Sequence, residues 1–212
     1  MSDISLKWLV ENFPEKCNFF DIGAANLSDT VTFKQLMPNN TYYAFECSDI
    51  WKEQNIITAE RYGINYFHLA MSDTSDVVQF YPSIKNHEGN DWPWSGSIYA
   101  PGTYLATTGL EFGEGYTVPS ITLNEFCKEH PAPDFIHIDA QGAEYSIFKN
   151  MEIRPSAIWA EISAFHLYDT SVTYQQFNDM MLSYGYKQAY LDNNDSLYIR
   201  SDLIFTDYPN SK

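Results

Sequence analysis

Two acid-bearing turns carry the residues best placed for chemistry. The first, Asp21-Ile-Gly-Ala-Ala25, closes a compact apolar run and leads at once into a helical pattern. Gly23 and its small neighbours let the backbone approach a ligand closely. About 25 residues further on, Glu46 ends a second apolar run, near the acid spacing of nucleotide-binding βαβ units. A carboxylate only accepts hydrogen bonds, so Glu46 suits the two hydroxyls of a ribose. Dinucleotide sites use further glycines to bring a pyrophosphate close. This turn has a single glycine and fits an adenosine ligand without phosphate, such as S-adenosylmethionine.

The second turn lies in Phe135-Ile-His-Ile-Asp-Ala-Gln-Gly-Ala-Glu144. His137 and Asp139 occupy alternate positions of one strand pattern and are expected to point the same way. Gly142 permits a tight turn, and Glu144 opens the next helix, where the dipole favours an anion. Carboxylates this close at a strand end are costly to bury unpaired, which favours a site over packing. Asp139 is the candidate to orient or deprotonate a hydroxyl acceptor, with His137 or His166 as the alternative base and Glu144 as a further catalytic candidate. Asp139, Glu144, Glu161 and His166 would also suit a divalent cation if they converged, but no metal is predicted.

These residues need a scaffold that gathers strand ends. Strand-length apolar runs at 17–23, 41–46, 64–70, 135–139 and 157–162 are separated by helical stretches at 28–37, 49–62, 123–129 and 143–151. A short helix at 5–11 precedes them, and a further strand falls at 77–81. A last helix at 174–184 is followed by two neighbouring strands near 187–191 and 196–205, expected to form an antiparallel edge hairpin. The alternation predicts a doubly wound α/β fold with a mostly parallel seven-stranded sheet, one domain over 1–212. Residues 82–115 lose periodicity and fill with Gly, Ser, Pro, Trp and Tyr; a segment of that length is functional or disordered. Trp92, Trp94, Ser95, Ser97, Tyr99 and Tyr104 make it a candidate acceptor lid, with aromatic faces suited to a sugar ring.

Composition narrows the partners. Hydrophobic residues make up 44% and charged residues 19%, which reads as globular. The net charge is −16 and the 12 Lys and Arg are scattered, which argues against nucleic acid and anionic membranes. Cys17, Cys47 and Cys127 lack metal-ligand spacing and imply a reducing compartment. No basic region followed by an apolar run is seen in the first residues, and no apolar stretch approaches the roughly 18–20 residues of a membrane span. A cytoplasmic location is expected, and nothing in the sequence sets an oligomeric state.

Phe20-Asp-Ile-Gly-Ala, Ala44-Phe-Glu46, Ala70-Met-Ser-Asp73, Thr122-Leu-Asn-Glu and Ile138-Asp-Ala-Gln-Gly-Ala-Glu144, followed by Glu161, resemble in this order the motifs of the FkbM family. That family consists of S-adenosylmethionine-dependent methyltransferases that mostly O-methylate sugars and natural products. The resemblance implies the Rossmann-like class I methyltransferase fold. It further implies that Asp21, Gly23 and Ala24 shape the donor turn and that Glu46, with Cys47 beside it, holds the ribose. Ala70, Met71 and Asp73 would lie near the adenine edge, and Asp139 would contact the donor and face the reacting centre. Ala25 and Leu27 stand where the family commonly has Asn and Gly, His137 where it commonly has Lys, and Asn124 where Asp is frequent. The expected activity is O-methylation of a sugar, a glycoconjugate or another small hydroxylated acceptor. The alternatives are a catalytically degenerate donor-binding or interaction module of the same fold, and a nicotinamide-dependent reductase. The missing glycines argue against the reductase.

Overall fold

The computed structural model describes residues 3–13, 15–162, 167–169, 172–192 and 195–206. Helix α1 (Asp3–Asn12) leads to β1 (Asn18–Ile22), α2 (Ser28–Leu36), β2 (Thr41–Phe45), α3 (Asp49–Tyr62) and β3 (Asn65–Phe67). Three short strands follow, β4 (Ala70–Ser72), β5 (Asp76–Phe80) and β6 (Ser83–Lys85). A 3-10 turn at Pro93–Ser95, α4 (Thr103–Thr107), β7 (Glu111–Phe112) and β8 (Tyr116–Thr122) come next. The remainder comprises α5 (Leu123–Glu129), β9 (Phe135–Ile138), α6 (Glu144–Phe148), β10 (Ala157–Glu161), α7 (Tyr174–Ser183), β11 (Tyr186–Asp192) and β12 (Asp195–Arg200).

The main sheet has seven strands in the order β11-β12-β10-β9-β1-β2-β3. Strands β10, β9, β1, β2 and β3 pair in parallel, while β12 runs against both β10 and β11. The expected hairpin is therefore present, with β12 tucked inside it. Strand order reverses on either side of β1, the place where open α/β sheets bind ligands. Side chains along β1 alternate between faces, and each face has its own core. Phe19 joins Trp8, Phe33, Tyr42, Phe135 and Trp159 under α1 and α2, whereas Phe20 and Ile22 join Phe45, Phe126, Ile136 and Phe148 under α5 and α6. Each such buried aromatic contributes about 1.5–3 kcal/mol.

Two expectations change. The strand read at 64–70 splits: 65–67 stays in the main sheet, and 70–72 leaves it to pair with β8 in a second sheet of order β4-β8-β5. The buried triplet Ala70-Met-Ser72 thus belongs to a separate sheet, while Met71 packs into the core of the first. Strand β8 is not visible in the sequence pattern because Pro119, which has no N–H to give, sits in its middle opposite Val77. The aperiodic segment 82–115 also carries structure of its own, namely the β6–β7 pair, the 3-10 turn and α4.

The turn after β1 is held in an unusual backbone. Gly23 has φ 80, and a Cβ there would lie 1.9 Å from the Asp139 carbonyl oxygen, so no other residue fits. Ala25 and Leu27, at φ 42 and 63, keep a left-handed conformation without the Asn or Gly that tolerates it. Each costs on the order of 1–2 kcal/mol. Two bonds clamp Ala25: its N–H donates to Glu46 Oε2 at 2.9 Å, and its carbonyl accepts from Asn55 Nδ2 at 2.6 Å. Leu27 is anchored by complete burial of its side chain.

Below the turn, His137 and Asp21 face each other in register on β9 and β1. Asp21 Oδ1 lies 2.9 Å from His137 Nδ1, and the Thr30 hydroxyl of α2 donates to Asp21 Oδ2. Burial alone would lower the proton affinity of His137, but the Asp21 carboxylate beside it raises the imidazole to about 9. The pair therefore stabilises the fold fully below the ordinary histidine value of about 6.5, and this stability is lost as pH rises through the folded value.

Two outcomes follow from these contacts. Thermal melts should show stability falling between about pH 6.5 and 9, with His137→Asn flattening that slope while lowering stability by about 3–5 kcal/mol through the unpaired Asp21. Ala25→Gly should stabilise the protein by up to about 1 kcal/mol in denaturant titrations by relieving strain, whereas Leu27→Gly should destabilise it because the lost burial, about 2–5 kcal/mol, exceeds the strain relieved.

Candidate functional site

A cleft of about 320 Å³ opens over the carboxyl ends of β1, β2 and β9. This lies at the low end of the roughly 300–1,000 Å³ typical of small-molecule sites. Gly23 and Ala25 form one wall, the chain from Glu46 to Ser48 with Trp51 another, and Asp139 to Gln141 with Glu161 a third. Leu69, Ala70, Met71 and Phe80 line the side towards the second sheet, and a strap from Trp92 to Ile98 crosses above. No Lys or Arg is among the lining residues.

Glu46 is 9% exposed at the end of β2. Its Oε2 accepts from Ala25 N–H at 2.9 Å and its Oε1 from Ser48 N–H at 2.6 Å. Each oxygen keeps a further lone pair for a ligand. Burial pushes the carboxyl up to about 7, against the pull of these backbone donors. Trp51, in the first turn of α3, stacks obliquely on Trp94 of the strap at 4.9 Å.

Asp139 sits just past the end of β9. Gln141 Nε2 donates to its Oδ1 at 2.7 Å, and Glu161 lines the same wall of the cleft. Burial, followed by the charges of Glu161 and Glu144, raises Asp139 well above the usual carboxylate range. Glu161 rises too, through burial and the charge of Asp195, its partner in register across β12. Burial and the charges around them thus favour the protonated form of both carboxyls.

The other expected residues divide. Cys47, Ala70 and Met71 line the cleft; Asp21, Ala24, Asp73, His137 and Glu144 do not. His137 does not share the direction of Asp139 into the site. Strand β9 ends at Ile138, so strict alternation stops before Asp139, and His137 is taken up by Asp21 and packs edge-on against Phe33. Glu144 folds back on its own turn, accepting from Ala140 N–H at 2.9 Å and Gly142 N–H at 3.0 Å; burial pushes it up to about 7. Asp73 makes an ion pair with Lys149 at 2.8 Å. The Thr122-Leu-Asn-Glu element caps α5 through Thr122 Oγ1, and Asn124 bonds Asn150 and Glu152. His166 and the side chain of Tyr104 lie outside the described residues. Among the described residues no group of three His, Cys, Asp or Glu is arranged to hold a metal ion.

Four residues of the site carried no clear sequence signal. Asn55 reaches Ala25 from within α3, and Trp51 lies five residues beyond Glu46. Gln141 reads as part of a turn. Tyr168 is brought in from a distant segment; its hydroxyl lies 2.8 Å from Gln141 Oε1 and 2.9 Å from the Ser95 carbonyl oxygen. The strap is held besides by Ser97, whose hydroxyl donates to the Gln141 carbonyl at 2.7 Å, and by Ser83, which bonds Trp92 and Ser95.

Comparison with known proteins completes the picture. The sequence model of the methyltransferase FkbM domain matches residues 21–187. The 2-O-methyltransferase NoeI of Sinorhizobium fredii (strain NBRC 101917 / NGR234) is 27% identical over 173 residues, covering 77% of this chain and 70% of that protein. The crystal structure of methyltransferase FkbM from Methylobacillus flagellatus KT superposes with a TM-score of 0.53 at 14% identity. That match covers 87% of this chain and 43% of the other, so this chain spans less than half the length of that structure. Within the described residues, no helix is long and apolar enough to cross a membrane. With most of its length matched by the family model, from the end of β1 to the start of β11, the chain belongs to the FkbM methyltransferase family.

Proposed function

We propose that this chain is an S-adenosylmethionine-dependent O-methyltransferase acting on a small hydroxylated acceptor, a sugar or glycoconjugate in the first place. The observation that carries the reading is the Glu46 carboxylate, fixed by two backbone amides with spare lone pairs at the wall of the cleft. The lining supports it chemically. Three carboxyls, Glu46, Asp139 and Glu161, and no Lys or Arg repel a pyrophosphate and attract a sulfonium cation. A dinucleotide is disfavoured on the same ground. The similarity to NoeI, a 2-O-methyltransferase, supports a hydroxyl acceptor.

When bound, the donor supplies an electrophilic methyl group for in-line displacement. Catalysis by the chain itself then rests on positioning and exclusion of water. Glu46 accepts from the ribose hydroxyls, and the small turn at Gly23 and Ala25 brings backbone against the donor. Cys47, Ala70 and Met71 supply its apolar surroundings. The Asp139–Glu161 pair orients the acceptor hydroxyl and receives its proton. Trp92 and Trp94 offer aromatic faces to the acceptor ring and cover the cleft, so that the strap serves as the lid. His137, Glu144 and Asp21 act indirectly, by fixing β9, its turn and β1.

Two measurements test this reading. In calorimetric titrations, S-adenosylhomocysteine should bind and NADH should not. Glu46→Ala should weaken the former by about 1–3 kcal/mol, through loss of charge-assisted hydrogen bonds. Because Glu46 is ionised only above its raised value, binding should be tighter at pH 8 than at pH 6. No S-adenosylhomocysteine binding would overturn the proposal, and binding without product across a panel of sugars would favour a donor-binding module. In turnover assays, kcat should rise with pH as the Asp139–Glu161 pair loses its proton, with Glu144 raising and His137 lowering that value. Asp139→Asn should remove this limb and lower kcat roughly 10²–10⁴-fold, with donor binding retained.

A further inference from the structure

Gln141 bonds Asp139, Tyr168 and the strap at once. It sits at φ 50 in the turn after β9, a conformation that Gly or Asn would take more easily. If the turn were all that mattered, glutamine would be a poor choice. Its side chain accounts for the cost. Nε2 donates to Asp139 Oδ1 at 2.7 Å, while Oε1 lies 2.8 Å from the Tyr168 hydroxyl. Its backbone carbonyl accepts from the Ser97 hydroxyl of the strap at 2.7 Å. Tyr168 in turn reaches the strap at the Ser95 carbonyl, 2.9 Å away, and is buried to 3% exposure against Phe112.

We propose that Gln141 is a positioning residue for methyl transfer, whose amide orients the Asp139 carboxyl and, through Tyr168, sets it as one unit with the strap over the cleft. The proposal rests on reading the cleft as a methyl-transfer site. A count of protons gives it content. The Tyr168 hydroxyl has one proton and two acceptors, Gln141 Oε1 and the Ser95 carbonyl. With Asp139 ionised, the Gln141 amide donates to the carboxylate and its oxygen takes the Tyr168 proton. In transfer, the acceptor oxygen bonds the methyl carbon as the carbon–sulfur bond breaks, sulfur keeps the electron pair, and the hydroxyl proton passes to Asp139. A protonated Asp139 satisfies the reversed amide: Gln141 Oε1 accepts from the carboxyl, Nε2 donates to Tyr168, and Tyr168 gives its proton to Ser95. In both states Gln141 bonds Asp139 and Tyr168, and in the second the Tyr168 proton goes to the strap. Gln141 can therefore keep its bonds to both Asp139 and Tyr168 while the site takes up one proton.

The test combines turnover with a readout that needs none. Gln141→Gly relieves the backbone and keeps the turn, and Tyr168→Phe removes only a hydroxyl. In both, hydrogen exchange at the strap amides of 94–98 should accelerate by about 10-fold or more, as expected when a latch opens locally. In Gln141→Gly, kcat should fall roughly 10- to 100-fold from misplacement of Asp139, with the S-adenosylhomocysteine dissociation constant unchanged and the melting temperature no lower. Gln141→Glu, which sets a second carboxylate against Asp139, should lower kcat further. Unchanged strap exchange in both of the first two variants overturns the proposal, as does an unchanged kcat in Gln141→Gly. Failure of the wild-type protein to bind S-adenosylhomocysteine or methylate any acceptor overturns instead the reading of the cleft, and the exchange data still decide the latch.

Discussion

The backbone of Gly23 lies against the carbonyl of Asp139, with room for nothing but hydrogen between them. This contact makes a site out of two strand ends. Because β1 and β9 are neighbours in the sheet, their turns emerge side by side and can close on each other only if one of them lacks a side chain. The approach puts the Glu46 carboxylate, bonded to the β1 turn through Ala25, and the Asp139 carboxyl, just past β9, on one cleft. A close-packed interior allows no intermediate solution, since a methyl group has nowhere to go. Gly23 is thus a packing requirement before it is a binding one.

Much of this architecture was legible because its physics is local. The alternation of apolar runs and helical patterns follows from strands buried on both faces, so the main sheet, its parallel core and its terminal hairpin could be read directly. Glu46 and Asp139 were legible for a different reason: an acid at the end of an apolar run is costly unless something binds it. Non-local arrangement escaped. Strand β8 hides behind Pro119, and β4 looks like a continuation of β3 until its partner is known. His137 and Asp139 differ by two positions, yet the end of regular strand geometry between them sends one into the core and the other to the cleft. Asn55, Gln141 and Tyr168 act through hydrogen bonds to segments distant in sequence or through a turn's detailed geometry, which composition and period do not encode.

The electrostatics of the site form a single pattern. Glu46, Asp139, Glu144 and Glu161 are all raised by burial, and His137 is raised by the partner that burial brings to it. Backbone amides satisfy Glu46 and Glu144, so that each acid fixes a turn while keeping a high proton affinity. A protein of net charge −16 has gathered carboxyls where nearby cations are scarce. The charge of such a site therefore grows more negative as pH rises through the raised values of its acids.

Strands β5 and β8 pair antiparallel, with Phe80 opposite Tyr116, so everything between them leaves and re-enters the body at one doorway. The cost of closing such an excursion grows only slowly with its length, about 0.6 kcal/mol for each doubling. Descendants of this chain can therefore lengthen, trim or exchange the stretch carrying Trp92 and Trp94 with little effect on the parallel sheet beneath. The segment above the cleft and the sheet beneath it can thus change at different rates, as long as the bonds that tie the strap to Gln141 and Tyr168 are kept.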